Sequence, residues 1–474
     1  MTASRYDHGV HPVGILGVGA AAPRFRLAAT DVGDAWSRRG GRGHVGICGA
    51  DEDTLTLAAE AALRALRAAG VAPDELDGLW WGTSRPPFAE GPSHAVLAGA
   101  LGCSTHASGA LHGGSTHAGI EALLGAADAI GAGHARVTLV VASDAVVPGL
   151  GTGFEARSGA GAAALVLAGS GGTATLGPRV TRSRPLLDRY RGDAEQRTRD
   201  LYDARLARDE IFGPLVTDVV EQLATLEVRS WSLPDPDSRL AAAVTRGLDD
   251  AVVVSKSAYD ALGDTGAAAA LLGGIGALDA EGQLAFVGYG GGRATGVVVT
   301  VDAPVPGALV VADAYAAGAP ISYASALRAR GELVPTGETI PMGVPPQSAL
   351  FARGADEMLG LLGARCVECG TVNTPPSIHP HCIACGSAKF ETVSLVRHGV
   401  VHTFVVNHTM PAPFEAPLPI AVIDLDDGAR IMLQVVGDGT DLAIGGEVEL
   451  VLRRYAYERG VPVYGYKARQ VEKP

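Results

Sequence analysis

The chain has 474 residues, 47% of them hydrophobic, and a formal net charge of −13. That length exceeds one hydrophobic core and predicts two or three packing units of ~100–200 residues. The negative balance argues against a polyanionic partner such as nucleic acid, because such binding needs clustered cations that displace counterions.

The longest apolar runs, such as Val137–Ala142 and Ala267–Leu272, fall far short of the ~20 residues a bilayer helix needs. The N-terminus shows no basic stretch followed by an apolar one, so the expectation is a cytoplasmic protein without a membrane partner. The 34 arginines against 4 lysines read as coding bias and carry no functional inference.

In chain order, Val13–Gly19 is a short apolar strand. Asp51–Ala69 follows as an amphipathic helix, with Leu55, Leu57, Ala58, Ala61, Ala62 and Leu66 at helical spacing. Leu76–Trp81 is a buried strand and Thr116–Ile130 a helix rich in Ala, Gly and Leu, which must pack on several sides. Val137–Ala142 and Ala160–Ala168 are further buried strands, so strands alternate with helices as in helix-covered sheets.

The charged stretch Arg182–Glu210 has little apolar periodicity and is expected to run over the surface. Ile211–Leu226 then predicts a helix, Ala251–Val254 a strand, Ala267–Gly274 a small-residue helix and Leu284–Gly288 a strand. Two similar halves, 1–170 and 171–305, are expected. Residues 306–362 form a tail and proline-rich linker with a short helix, Gln347–Leu362.

Four of the six cysteines, Cys366, Cys369, Cys382 and Cys385, form two C-x2-C pairs separated by twelve residues. That is a zinc-ribbon spacing: each pair places two thiolates on one cation, and Gly370 and Gly386 give the turns their freedom. Two disulfides or free thiols are the alternatives. Four cysteines leave no open position, so the zinc expected over 363–394 is structural. His379 and His381 sit inside the gap and are expected outside the ligand set. Beyond the ribbon, 395–474 reads as four or five short strands of an OB-like barrel, with turns at Asp426-Asp427-Gly428 and Gly437-Asp438-Gly439.

Several phrases carry a resemblance: VGILGVGAAAPRFRLAATDV (13–32), LDGLWWGTSRPP (76–87), HAGIEALLGAADAIGAGHARVTLVVASDA (117–145) and VGYGGGRATGVVVTV (287–301). Together they resemble 3-hydroxy-3-methylglutaryl-CoA synthase of the archaeal type and, more distantly, ketoacyl synthase III. RCVECGTVNTPPSIHPHCIACGS (365–387) with GVVHTFVVNH (399–408) resembles the zinc-ribbon plus OB-fold acyl-CoA-associated family. The resemblance implies an α/β chain: duplicated thiolase-like α-β-α-β-α layers, then a rubredoxin-like zinc ribbon and a small OB-like β-barrel. It implies an acyl-CoA or acyl-carrier-protein thioester as substrate, and a homodimer or a heteromer with a thiolase-like partner.

Carried over position by position, the family's catalytic groups are replaced. The nucleophilic cysteine falls at Thr116, the glutamate at Ser84, the histidine at Ser255 and the asparagine at Asp264. An alcohol needs a neighbouring general base to attack a thioester, where a thiolate at a helix N-terminus does not. His112 on the preceding strand is a better geometric candidate for that base than the adjoining His117, and Lys256 or Asp264 could reach in from the second half. Cys103, thirteen residues upstream of Thr116, is expected to be an ordinary buried cysteine. The Gly288, Gly290, Gly291 and Gly292 run matches the loop that approaches the acyl group and offers amide donors to the thioester oxygen. Gly14–Gly19 lacks a following phosphate-binding helix, so a dinucleotide site is discarded. Two functions stay open: an enzyme of acyl transfer or carbon–carbon bond chemistry with a remodelled site, or a non-catalytic subunit that scaffolds a cysteine-bearing thiolase and holds the pantetheine arm in its OB module.

Overall fold

The computed structural model describes residues 12–38, 41–200, 204–333, 354, 357–409, 416–458 and 461–471. The chain divides into two compact units, residues 1–97 with 103–334 and residues 98–102 with 335–474. Each is described by itself.

Unit 1 is built on one ten-stranded sheet. Its strands are β1 (Val13–Ala21), β2 (Gly78–Gly82), β3 (Ser108–His112), β4 (Val137–Ala145), β5 (Ala160–Ala168), β6 (Ala174–Ser183), β7 (Ser230–Ser232), β8 (Val252–Val253), β9 (Gly282–Gly290) and β10 (Arg293–Val301). The spatial order is β8-β7-β9-β10-β6-β1-β5-β4-β2-β3. Numbered within each half, both sets of five run 3-2-4-5-1, so the second half repeats the topology of the first. The halves join where β1 meets β6 antiparallel, over the pairs Val13–Leu176, Gly14–Thr175 and Ile15–Ala174.

Four helices complete the layers: α1 (Thr54–Ala69), α2 (Ala118–Gly131), α3 (Gly213–Ala224) and α4 (Ala269–Gly274). α1 packs on β1, β5 and β4, and α3 on β10 and β6. α2 touches β2, β3 and β4 of the first half and also β9 and α4 of the second. The sequence of layers is therefore α1, first half-sheet, α2 with α4, second half-sheet, α3, which is the expected α-β-α-β-α arrangement.

Local chemistry explains the boundaries. α1 starts at Thr54 because Asp53 caps it: its Oδ1 accepts from the amides of Leu55 and Thr56, each at 3.0 Å, and Thr56 Oγ1 accepts from the Asp53 amide at 2.9 Å. Such a cap contributes about 1 kcal/mol. The small residues of β1 let α1 sit directly on the strand backbone; a Cβ at Gly17 would lie 2.6 Å from the Ala69 nitrogen. α2 is sandwiched on both sides, and Ile120, Leu123 and Ala126 are fully buried with Leu284, Phe286 and Val297 of the second half. Each large apolar side chain buried there contributes roughly 1.5–3 kcal/mol.

The stretch Arg182–Glu210 is mostly exposed, as a surface run is, but it is not without structure. It carries two short paired strands, Arg189–Tyr190 and Arg199–Asp200, and Asp188 is buried. Charge pairing across the fold, described below, holds its inward-facing side chains.

Unit 2 opens with a three-stranded ribbon, β11 (Leu362–Cys366), β12 (Val372–Asn373) and β13 (Phe390–Ser394), in the order β12-β11-β13. Then come β14 (His398–Asn407), β15 (Leu418–Leu425), β16 (Arg430–Gln434), β17 (Glu447–Glu458) and β18 (Val461–Gln470), ordered β16-β15-β14-β17-β18. A bridge between Val435 and Ala468 draws the two edges together into a nearly closed OB barrel. Most of the helix expected over Gln347–Leu362 lies outside the described residues; 357–359 are helical. No helix among the described residues is long and apolar enough to cross a membrane.

Candidate functional site

Unit 1 holds a cavity of about 1330 Å³. Thr116, just ahead of α2, lines it together with Ser84, Asp264 and Gly288, Gly290 and Gly291 at the end of β9. The glycines fit because nothing larger does: a Cβ on Gly290 would stand 2.5 Å from Thr116 Oγ1 and 2.6 Å from the His117 amide nitrogen. Gly291 and Gly292, at φ 57° and 72°, make the turn into β10. The expected loop therefore lies against the head of the central helix.

Thr116 Oγ1 donates to the Tyr289 carbonyl at 2.7 Å. Among the described residues that carbonyl is its hydrogen-bond acceptor, and no side-chain base takes its proton. His112 does not line the cavity, although Leu111 and Gly113 on either side of it do; strand alternation turns its ring away. It lies against α2, where a Cβ on Gly125 would be 3.2 Å from His112 Nε2, and burial lowers its pKa. Lys256 pairs with Asp260 at 2.6 Å.

Ser255 also stays out of the cavity lining. Its Oγ accepts from the Leu233 amide at 3.1 Å and donates to the Leu233 carbonyl at 3.0 Å, fastening the chain after β7. The loop it steadies, Pro234–Asp237, brings two prolines and Asp237 to the cavity. Cys103 is likewise not a lining residue, and burial pushes its thiol up to about 11. No thiol takes the place of Thr116.

Asp264 is held by Arg189, whose Nη1 lies 2.8 Å from Asp264 Oδ2 and whose Nε lies 3.2 Å from Asp200 Oδ1. The guanidinium also sits 5.0 Å from the centre of the Phe154 ring. Burial works against the Arg189 charge, but Asp264 and Asp200 outweigh it and hold its pKa above the ordinary value. One residue earlier, Asp188 accepts from the Tyr289 hydroxyl at 2.5 Å. Burial, reinforced by Asp188, raises the Tyr289 pKa, so the phenol keeps its proton. The segment around 188–200 is thereby tied to both the asparagine position and the glycine loop.

Ser84 donates to Asp144 Oδ2 at 2.6 Å. Asp144 ends β4, is fully buried, and also accepts from the Ala267 and Ala145 amides, each at 3.0 Å. At the start of the short helix Leu240–Val244, Asp235 and Asp237 both accept from the Leu240 amide, at 2.9 and 3.0 Å. Burial and Asp237 push the Asp235 carboxyl up to about 6.

Asp144, Asp188, Arg189 and Tyr289 were not reached from the sequence. Asp144 had a readable signal, a carboxylate ending an apolar strand at the carboxyl edge of the sheet; the other three depend on pairing partners far along the chain.

In unit 2 the four cysteine sulfurs all lie within 4.8 Å of one another. The Cys366–Cys385 and Cys369–Cys382 sulfurs are 3.6 and 3.5 Å apart. A tetrahedron with Zn–S bonds of about 2.3 Å has edges of about 3.8 Å, so the set fits a zinc ion. The two knuckles match each other: Gly370 N to Cys366 O is 2.8 Å and Gly386 N to Cys382 O is 2.9 Å. Among the described residues the four cysteines alone make such a cluster, and His379 and His381 stand outside it.

Residues 392–453 match the family described as ChsH2, C-terminal OB-fold domain. Over 126 residues, 25% of this chain and 88% of the relative, the chain is 41% identical to a DUF35 domain-containing scaffold protein of Methanocaldococcus jannaschii. The chain belongs to the DUF35 domain-containing family. It is also 33% identical over 159 residues, 33% of this chain, to hydroxymethylglutaryl-CoA synthase of Thermococcus sibiricus, spanning 45% of that enzyme. The chain thus spans about half the length of the synthase it matches. Its structure aligns with MvaS in complex with 3-hydroxy-3-methylglutaryl coenzyme A at TM-score 0.58 and 20% identity, covering 71% of this chain and 94% of MvaS. It aligns with the 3-oxoacyl-(acyl carrier protein) synthase III FabH of Pseudomonas aeruginosa at 0.53 and 22%, covering 62% and 99%. The DUF35 module is therefore preceded by a thiolase-superfamily fold.

Proposed function

We propose that unit 1 binds an acyl thioester of coenzyme A or of an acyl carrier and acts on it without forming an acyl-enzyme, in chemistry at the carbon beside the thioester carbonyl. The observation that carries this reading is the pairing of Thr116 Oγ1 with the Tyr289 carbonyl in a cavity that keeps its glycine loop. An alcohol whose proton rests on a backbone carbonyl has no base to activate it. Gly290 and Gly291 line the cavity, and the Gly291 amide is the candidate donor for a thioester oxygen. Arg38, Arg85, Arg157 and Arg191 among the lining residues suit the phosphates and pantetheine arm of such a ligand. The relatives support the class: one aligned structure holds 3-hydroxy-3-methylglutaryl coenzyme A and another holds CoA. In this reading Asp264 with Arg189 shapes the cavity, while His112 and Ser255 support its walls.

Zinc on Cys366, Cys369, Cys382 and Cys385 would order the DUF35 module and supply no open coordination position. A second reading is favoured by the relative named as a scaffold protein: the module docks a thiolase-like partner, and unit 1 presents the thioester to it.

Calorimetry with acetyl-, propionyl- and octanoyl-CoA, followed by intact-protein mass, tests the first reading. Saturable binding with no mass increase is expected, and Thr116→Ala should still bind. An acyl adduct abolished by Thr116→Ala would refute non-covalent handling. Absence of binding by every thioester would refute the site.

A further inference from the structure

Resting on the acyl-thioester reading, we propose that Ser84 and Asp144 form the proton-handling couple of the cavity, Ser84 meeting the substrate and Asp144 exchanging the proton through it. The carboxylates near the cavity differ in how they are neutralised. Asp264 is paired with Arg189 at 2.8 Å and Asp237 with Arg208 at 2.9 Å. Asp144 makes no ion pair among the described residues, although it is completely buried. Leaving a carboxylate dry and without a counter-ion costs several kcal/mol, so this carboxylate takes up a proton more readily than a solvated one does. Burial does raise the Asp144 carboxyl, opposed first by the Ser84 hydrogen bond, then by the Ala267 amide and by the charge of Arg85.

The geometry gives that carboxyl one side-chain route to the cavity. Oδ1 accepts from the Ala145 amide, and Oδ2 from the Ala267 amide and from Ser84 Oγ at 2.6 Å. Neither amide conducts a proton, whereas the serine oxygen, half-buried and on the cavity wall, both donates and accepts. Glycines enforce the closeness: a Cβ on Gly266 would stand 2.3 Å from Asp144 Oδ2. Ser84 occupies the position where the related synthases are expected to carry a glutamate, so a carboxyl one strand away acts there through a hydroxyl.

In the forward step the C–H bond beside the thioester carbonyl breaks and its electron pair becomes the enolate. The proton goes to Ser84 Oγ as the serine's own proton moves to Asp144 Oδ2. The negative charge passes from Asp144 to the enolate oxygen, for which the Gly291 amide of the glycine turn is the candidate donor. The reverse transfer returns the proton, so the couple is regenerated without a further reactant.

The test is α-hydrogen exchange. The full chain is incubated in D2O with acetyl-, propionyl- or octanoyl-CoA, deuterium in the acyl group is followed by mass spectrometry, and binding is measured on the same samples by calorimetry. The wild type should incorporate α-deuterium into the thioester it binds most tightly. Ser84→Ala should slow exchange on the order of 10²-fold while Kd changes less than about threefold. Ser84→Thr should restore much of the rate, and Asp144→Asn should match Ser84→Ala if it folds. Should Asp144→Asn fail to fold, the half-buried Ser84 pair of variants still decides. Binding without exchange, or exchange undiminished in Ser84→Ala, overturns the couple and leaves the cavity reading intact. Loss of binding by the wild type overturns both.

Discussion

Removing Arg189 should unfasten the cavity wall, and the size of the effect follows from its surroundings. Its side chain is 18% exposed, Asp264 7% and Asp200 33%. Stripping one partner from a fully buried pair costs ~3–5 kcal/mol, mostly from the charge left behind. Residual exposure lets water in at the Asp200 end, so Arg189→Met should cost about 2–4 kcal/mol. In a unit of this size, at about 2 °C per kcal/mol, that lowers the first melting transition by roughly 4–8 °C. The second substitution isolates the cause. Asp264→Asn keeps an oxygen for the Gly266 amide, which Asp264 Oδ1 now serves at 3.0 Å, but removes the orphaned charge. The double variant should therefore be more stable than Arg189→Met alone, with a coupling on the order of 1.5–3 kcal/mol. Differential scanning calorimetry of the four proteins measures the cycle, and limited proteolysis near residues 190–198 should accelerate in Arg189→Met. A double variant no more stable than Arg189→Met would refute charge compensation as the reason this segment is ordered.

Three other outcomes are expected. Gly290→Ala places a methyl against the backbone at the head of α2; overpacking of about 1–3 kcal/mol should shift the turn and weaken CoA-thioester binding tenfold or more by calorimetry, and unchanged affinity would contradict the close approach. Asp235 releases its proton near pH 4 in the unfolded chain and near pH 6 in the fold, so its contribution to stability falls as pH rises between those values; Asp235→Asn should stabilise unit 1 by about 1–3 kcal/mol at pH 7.5 and have little effect at pH 4, and equal effects at both pH values would contradict that assignment. Metal analysis should find one zinc per chain, and chelation or Cys382→Ser should abolish the melting transition of unit 2 while unit 1 keeps its own; loss of both transitions together would contradict the metal's confinement to the ribbon.

The scaffold was legible because burial writes itself into composition. Ala160–Ala168 is apolar without interruption and Val137–Ala142 nearly so, with only Thr138 polar, since both faces of those strands are covered, and Leu55, Leu57, Ala61 and Leu66 recur at the helical period. The cysteine spacing was legible for a different reason: one ion needs four sulfurs, and two tight turns deliver them. The cavity was legible only at its backbone, through the Gly288–Gly292 run. What fills it was not. Arg189 reads as one charge among many, and its burial depends on Asp264, 75 residues away. Asp144 is likewise sheltered by an amide 123 residues on. Ser255 follows a short strand as a catalytic histidine would, yet its hydroxyl is consumed by the Leu233 backbone.

The recurrence of one strand order in the two halves of unit 1 has a thermodynamic consequence. Thr116 belongs to the first copy and the Gly290–Gly292 turn to the second, so any ligand seated between them clasps both. Occupancy then adds RT ln(1 + [L]/Kd) to the unit undivided, and neither copy can loosen alone without letting the ligand go. Duplication would in this way make one cooperative body of the two copies, its resistance to heat rising with the concentration of any such ligand.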